Sequence, residues 1–389
     1  MILNPNMAAT RPSPVVEAKR WIADKTFSPD LPLLNVSQAA PVDPPPRALR
    51  EAMAETALTL PAAHVYGPVL GLPALREAIA ARFSRAYGGT ITPGNVAITQ
   101  GCNQAFCAAL ATLAGPGDEV ILPTPWYFNH QMWLSLSGVR TVPLPTGDER
   151  LPTVAEAEAR ITDRTRAIVL VTPNNPAGVE YPADLVHAFA DLARANGLAL
   201  ILDETYRDFD SRPAAPHDLF TDPAWSDKLI QLYSYSKAYR LTGHRVGALI
   251  ASPERLVSVE KFLDTVAICP SQIGQHAALW GMTHLDEWLA GERAEILARR
   301  GAIEEGFAKL PDWHLSGAGA YFAYVRHPFN EPSDTLARRM VDDIAVLALP
   351  GSMFTPEGDP AGATHLRIAF ANIDRTGIAT LMDRLQTLS

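Results

Sequence analysis

Six short runs rich in β-branched residues punctuate the middle of the chain: NVAIT (95–99), DEVILP (118–123), RAIVLV (166–171), LALILD (198–203), LIQLYS (229–234) and VGALIAS (246–252). Several are apolar from end to end, which suits strands buried on both faces. Helical segments separate them. Between 182 and 196, Leu185, Phe189 and Leu192 recur at helical spacing, and Asn196-Gly197 supplies a stop. Strands alternating with helices predict an α/β fold with a mostly parallel sheet. After about 270 the rhythm changes to a long helical stretch (275–309), then GAYFAYV, DIAVLALP and HLRIAFA, which reads as a smaller α+β unit. At the other end, the Pro-rich stretch 38–53 reads as an extended connection until Pro46 opens a helical pattern. The expected division is a large domain at 46–274 and a small domain made of 1–45 and 275–389.

Composition narrows the function. A net charge of -9 argues against nucleic acid as a main partner, because phosphate binding needs a basic surface. Cys102, Cys107 and Cys269 form neither a CxxC pair nor an even disulfide framework, so a reducing, cytoplasmic setting and no metal are expected. The N-terminus lacks a basic start followed by an apolar run, and no stretch of about eighteen apolar residues occurs, so neither export nor a membrane span is expected.

In open α/β sheets a ligand binds outside the carboxyl ends of the strands, so the residues just after each apolar run carry the information. After NVAIT comes QGCNQAF, where Gly101 turns into a helix and aims the N–H groups of Cys102 and Asn103 at an anion. After RAIVLV comes TPNNPAG, with the Asn175 amide at the sheet edge, or simply a turn. After LALIL comes DETY: Asp203 ends an apolar strand, where a carboxylate needs a partner, and Tyr206 lies three residues on. After LIQLY comes SYSKAYRLTGHR, with Ser234, Ser236, Lys237 and Arg245. Taken alone, Lys237 or Arg245 would pass for a solvated charge. One ligand uses the whole set: an aldehyde for the lysine, a ring nitrogen for the aspartate, a phenolate for Asn175 and Tyr206, and a phosphate for the serines, Arg245 and the helix start. That ligand is pyridoxal 5'-phosphate.

TPNNPAG, DETY and SYSKAYRLTGHRVG together resemble the signatures of class I/II aminotransferases of the fold-type I pyridoxal-phosphate family, aspartate aminotransferase-like, and the likeness covers nearly the whole chain. The resemblance implies a seven-stranded, mostly parallel sheet covered by helices on both faces. It implies that Lys237 is the Schiff-base lysine and moves the substrate's Cα proton, that Asp203 keeps the pyridine nitrogen protonated, and that Asn175 and Tyr206 bind the ring oxygen. Phosphate would be held by Arg245, Ser234, Ser236 and the backbone at Gly101, Cys102 and Asn103. Tyr66 in HVYGPVLG matches a tyrosine that reaches the neighbouring subunit's phosphate, which implies a homodimer. In PTPWYFNHQMW the ring that stacks on the pyridine is Tyr127 or Trp126, and alignment by the Asn-His pair favours Tyr127. His130 matches a histidine behind the aspartate, or is merely packed. Arg367 in THLRIAFAN matches the substrate-carboxylate arginine, and Ala39 stands where relatives often carry a glycine that helps hold that carboxylate. No second substrate arginine can be identified, so a dicarboxylate preference is not supported. Trp126, Tyr127, His130 and Tyr321 hint at apolar or aromatic substrates.

Other readings fit less well. Ser234 and Lys237 match an S-x-x-K hydrolase pattern, but S-D-N and K-T-G are absent, and no G-x-G-x-x-G serves a nicotinamide cofactor. A pyridoxal-phosphate-binding regulator would carry a fused DNA-binding domain, for which the residues before 46 leave no room. The serious alternative is a lyase or decarboxylase on the same scaffold.

Overall fold

In the computed structural model, which describes residues 2–388, the apolar runs assemble into one seven-stranded sheet. Its strands are β1 (Val96–Thr99), β2 (Glu119–Thr124), β3 (Arg140–Pro145), β4 (Thr165–Val171), β5 (Ala199–Asp203), β6 (Leu229–Ser234) and β7 (Gly247–Ile250), in the order β1-β7-β6-β5-β4-β2-β3. Only the pairings of β7 with β1 and β6 are antiparallel. Every residue of β1, β2, β5, β6 and β7 is buried, as end-to-end apolar runs require. Side chains alternate between two cores. Ile168, Leu170, Leu200 and Leu202 meet the helices Pro73–Tyr87 and Ala183–Ala195 on one face. Val169, Ile201, Ile230 and Leu232 meet the helices Cys102–Ala111 and Pro253–Ala267 on the other.

Strand β3 was not among the six expected runs. Its sequence, RTVPLP, buries only Val142 and Leu144 and carries two prolines, which an outer strand paired with β2 alone can hold. At the opposite end of these strands from the site, buried Glu119 accepts from Arg140 Nε at 3.1 Å, Arg164 Nε at 2.9 Å and Thr162 Oγ1 at 2.8 Å, tying β2 to the starts of β3 and β4.

The C-terminal part forms an antiparallel sheet of β8 (His314–Gly319), β9 (Phe322–Arg326), β10 (Leu349–Pro350) and β11 (His365–Ala369), ordered β10-β11-β9-β8. The single helical stretch expected over 275–309 is two helices, Gln272–His284 and Asp286–Phe307, with Leu285 out of helical geometry between them. DIAVLALP is only partly extended, because the helix Ser333–Ile344 runs into it and ends at Ala345, whose φ is +50°. Strand β8, poor in large apolar side chains, had no clear sequence signal. The N-terminal segment joins this part: Leu34–Asn35 pairs in parallel with Val346–Leu347, and Ala369 N–H donates to the Val36 carbonyl at 2.8 Å. Among the described residues no helix is long and apolar enough to cross a membrane.

Burial alone would raise the Glu119 pKa, but its bonds to Arg140, Thr162 and Arg164 outweigh burial and hold it at about 2. A depressed carboxylate contributes stability that is present above its unfolded pKa and lost as pH falls toward the folded value. Glu119→Gln is therefore expected to lower stability by about 1–2 kcal/mol at neutral pH, given its half-exposed arginines. Urea unfolding at pH 7 and pH 3 checks this: the difference between variant and wild type should shrink at the lower pH.

Candidate active site

The parallel register brings the ends of three strands together: Val171 of β4 lies beside Asp203 of β5, and Asp203 beside Leu232 of β6. Thr99 of β1 and Ser234 of β6 both face Gly247 of β7. Because β7 returns antiparallel, the chain leaving β6 turns back at this same edge, carrying Lys237 in the one-turn helix Tyr235–Ala238 and Arg245 just before β7. A cleft of about 420 Å³ opens there. Of the expected site residues, Ala39, Cys102, Asn103, Tyr127, Asn175, Asp203, Tyr206, Ser234, Ser236, Lys237, Arg245 and Arg367 all line it.

One end of the cleft is built for an anion. Gly101, at φ +81°, precedes the helix Cys102–Ala111 with no side chain capping the first N–H groups. A Cβ on Gly101 would stand 2.1 Å from an Arg245 guanidinium nitrogen, and one on Gly247 would stand 2.6 Å from the Gly101 carbonyl carbon, so Gly101 lets the Arg245 guanidinium approach and Gly247 lets β7 pack directly on the start of that helix. Arg245 donates to the Thr242 carbonyl at 3.0 Å and toward Ser236 Oγ at 3.4 Å, and among the described residues no carboxylate pairs with it. Ser234 Oγ accepts from the Ser236 N–H at 3.2 Å, which turns the chain around the same end of the cleft. A dianionic phosphate fits this donor set.

Asp203 forms the floor. Its Oδ1 accepts from the Thr205 N–H at 3.0 Å and faces Cys102 Sγ at 3.6 Å, and its Oδ2 lies 3.2 Å from His130 Nε2. Burial by itself raises the Asp203 pKa, but His130 and Thr205 outweigh it and keep the carboxyl below its ordinary value. A buried carboxylate that stays ionised is the group a protonated ring nitrogen needs. His130 does not open onto the cleft; it is buried behind Asp203 and stacks on Phe106 at 3.9 Å.

Arg367 on β11 is only 2% exposed, yet among the described residues it has no carboxylate partner. Its guanidinium donates to Asn175 Oδ1 at 3.2 Å and to the Ser37 carbonyl, and lies 4.9 Å from the Phe354 ring and 5.2 Å from that of Phe322. Nε is buried without a partner among the described residues. Burial pulls its pKa down to about 10, partly offset by Tyr206 and Tyr127. Since Arg367 takes Asn175 Oδ1, the Asn175 Nδ2 is left to donate elsewhere. Lys237 Nζ donates to the Ala39 carbonyl at 2.6 Å and lies 5.9 Å from the rings of Tyr206 and Tyr321. Burial first, then the charges of Arg245 and Arg367, lower its pKa to about 7. Tyr206 is buried, its hydroxyl unpaired among the described residues, and burial pushes its pKa well above 10.

Of the two candidate stacking rings, the favoured Tyr127 lines the cleft, whereas Trp126 lies in the core behind it. Tyr321 packs on Tyr206 and Phe209 and does not line the cleft, so of the four rings read as substrate contacts only Tyr127 faces it. Tyr66 is 78% exposed and outside the cleft of its own chain. Sequence reading missed Thr205, whose backbone fixes Asp203, and the helix Pro14–Trp21, which brings Val15, Val16 and Lys19 to the cleft. Thr205 could have been found from its place between Asp203 and Tyr206; the helix, far away in sequence and without a motif, could not.

The profile of the family "aminotransferase class I and II" matches residues 32–385. Aromatic-amino-acid aminotransferase 2 of Thermococcus litoralis is 29% identical over 82% of this chain and 83% of its own. The arginine–pyruvate transaminase of Pseudomonas aeruginosa is 32% identical over 78% and 77%, and the valine–pyruvate aminotransferase of Mycobacterium tuberculosis 31% identical over 87% of each. In fold, the chain matches the aspartate aminotransferase of Thermus thermophilus, solved with maleate, over 100% of both chains with a TM-score of 0.88 at 24% identity. These relatives differ in amino acid and share one reaction. The chain is an aminotransferase and belongs to the aminotransferase class I and II family, whose members generally depend on pyridoxal phosphate.

Proposed function

We propose that this aminotransferase holds pyridoxal 5'-phosphate at Lys237 and uses it to move the amino group of an apolar or aromatic L-amino acid to a 2-oxo acid. The observation that carries the reading is Arg367: a buried guanidinium without a carboxylate, in the same cleft as an amine whose pKa is near neutral. A buried cation is costly unless paired, and the carboxylate of either substrate supplies the pair.

When bound, the cofactor supplies an electron sink for the charge left as the substrate's Cα proton departs. The chain's own groups do the rest. Arg245, Ser234, Ser236 and the N–H groups of Cys102 and Asn103 would hold the phosphate, with Gly101 and Gly247 allowing the arginine, the helix start and β7 to approach one another closely. Asp203, kept ionised by His130 and Thr205, holds the ring nitrogen in its protonated form. Asn175 Nδ2 and the Tyr206 hydroxyl, both without partners among the described residues, would donate to the ring oxygen. Tyr127, which lines the cleft, would lie against the ring face. Lys237, largely unprotonated above about pH 7, attaches the cofactor and, once displaced, takes the proton from Cα. Arg367 orients the carboxylate so that this Cα–H bond faces Lys237, and Ala39 borders the same end.

The substrate class rests on Val15, Val16, Tyr127 and Phe128, which make part of the cleft's remaining wall apolar or aromatic beside the polar Ser13, Lys19 and Gln38; among the described residues no arginine besides Arg245 and Arg367 lines it. Residues on both sides of the proposed division, 46–274 against 1–45 and 275–389, contribute to it. A homodimer completes the site. Tyr66 and its neighbour Val65 are both exposed, and the Gly67 N–H donates to Cys269 Sγ at 3.4 Å, so Tyr66 stands on a face open to a second copy whose phosphate it would reach. Three cysteines without a disulfide suit a cytoplasmic enzyme.

The purified protein should show a visible absorbance band that borohydride bleaches, and Lys237→Ala should lose both the band and amino transfer; a wild type that never takes up the cofactor would sink the reading. A donor panel scored by loss of that band should rank phenylalanine and leucine above aspartate, and the reverse order would remove the substrate assignment. Arg367→Ala should raise KM for amino acid and 2-oxo acid about 10²- to 10³-fold, from two lost charge-assisted bonds, while leaving cofactor uptake intact. The rate at which Lys237 captures pyridoxal, the form without phosphate, should rise through pH 7 to a plateau. Arg245→Ala removes a cation that disfavours the ammonium, so the midpoint should move up; an unmoved midpoint would contradict the assigned cause.

A further inference from the structure

The ring of Tyr127 is tethered at its far end. Its Oη donates to Asn103 Oδ1 at 3.1 Å and accepts from Asn129 Nδ2 at 3.0 Å, so both directions of the hydroxyl are used. Burial, reinforced by the charge of Asp203 and by Cys102, raises the phenol to about 12, so it remains a donor throughout the neutral range. At its side the ring meets His130 edge-on, with centroids 5.0 Å apart, and His130 is the residue 3.2 Å from Asp203. A tyrosine ring anchored only through Cβ can turn about χ1 and χ2, whereas bonds at the opposite end remove that freedom. The two asparagines come from different elements. Asn103 stands in the first turn of the helix whose N–H groups form the anion hollow, and Asn129 stands in the first turn of the helix Phe128–Leu136, two residues past Tyr127.

We propose that the side chains of Asn103 and Asn129 are positioning residues that fix the plane of the Tyr127 ring and, through it, the tilt of the cofactor ring. The inference rests on the reading that pyridoxal phosphate binds at Lys237 with Tyr127 against its face. Asn103 then has two separate duties: its N–H belongs to the phosphate hollow and its side chain to the aromatic wall. Phosphate and ring are thereby held through one residue.

The test is a double-mutant cycle on the full-length protein with pyridoxal phosphate as the probe, using Tyr127→Phe, Asn129→Ala and the pair. Cofactor Kd from absorbance titration and the visible circular dichroism of the bound chromophore are the two readouts. Each single variant should weaken cofactor binding about three- to tenfold and reduce the dichroic band by a similar fraction, and the pair should be no worse than the weaker single. Loss of general structure would not move the dichroic band while leaving the thermal midpoint unchanged, which is the pattern expected here. Asn129→Ala with the wild-type Kd and dichroism, or fully additive effects in the pair, would overturn the tether while leaving the cofactor assignment standing. Tyr127→Phe removes one oxygen and keeps the ring, so wild-type behaviour of that variant overturns the tether even if Asn129→Ala does not fold. A wild type with no visible band would overturn the cofactor assignment and the tether together.

Discussion

A buried guanidinium without a carboxylate is an expensive thing to keep, and much of this molecule is arranged to keep one. Arg367 donates to Asn175, from the loop after β4, and to the Ser37 carbonyl, from the N-terminal segment, while β11 fixes its backbone between β9 and β10. Three distant parts of the chain therefore meet at one cation. Aromatic faces from Phe322 and Phe354 cover it without neutralising it. The site stays one anion short of balance, which is the condition for recognising a carboxylate.

The charges of the cleft act on one another. Arg245 and Arg367 both push the Lys237 ammonium toward its neutral form, and a phosphate on the first or a carboxylate on the second would relax that push. The amine is thus least basic before anything is bound and more basic once both anions are in place, the order that the attack and proton transfer proposed for it would need. Asp203 is insulated from this traffic by His130 and Thr205, which keep it ionised on their own account.

The large sheet and most of the cleft were legible in the sequence because both rest on local signals. A run buried on two faces must be apolar throughout, and a residue that follows it in a parallel sheet must appear at the common edge, so Asn175, Asp203, Ser234 and Lys237 could be placed without coordinates. What escaped was set by packing at a distance. Strand β3 reads poorly because one outer partner tolerates its prolines; the break at Leu285 has no glycine or proline to announce it; and the helix Pro14–Trp21 reaches the cleft with ordinary amphipathic residues. Which ring faces the cleft was hard to read for a related reason. Trp126 and Tyr127 are adjacent, and only the cap geometry at the start of the helix Phe128–Leu136 decides which one faces the cleft.

The seam between Leu34–Asn35 and Val346–Leu347 sets an order of events during synthesis. The first half of that seam leaves the ribosome long before the second, and Ser37, one of the two oxygens on Arg367, belongs to the early half. The large sheet can close around Asp203 and Lys237 while the carboxylate end of the cleft is still unmade. A nascent chain would accordingly bring Lys237 to the sheet edge before Arg367 can meet Ser37, and Leu34–Asn35 must wait for Val346–Leu347 to emerge.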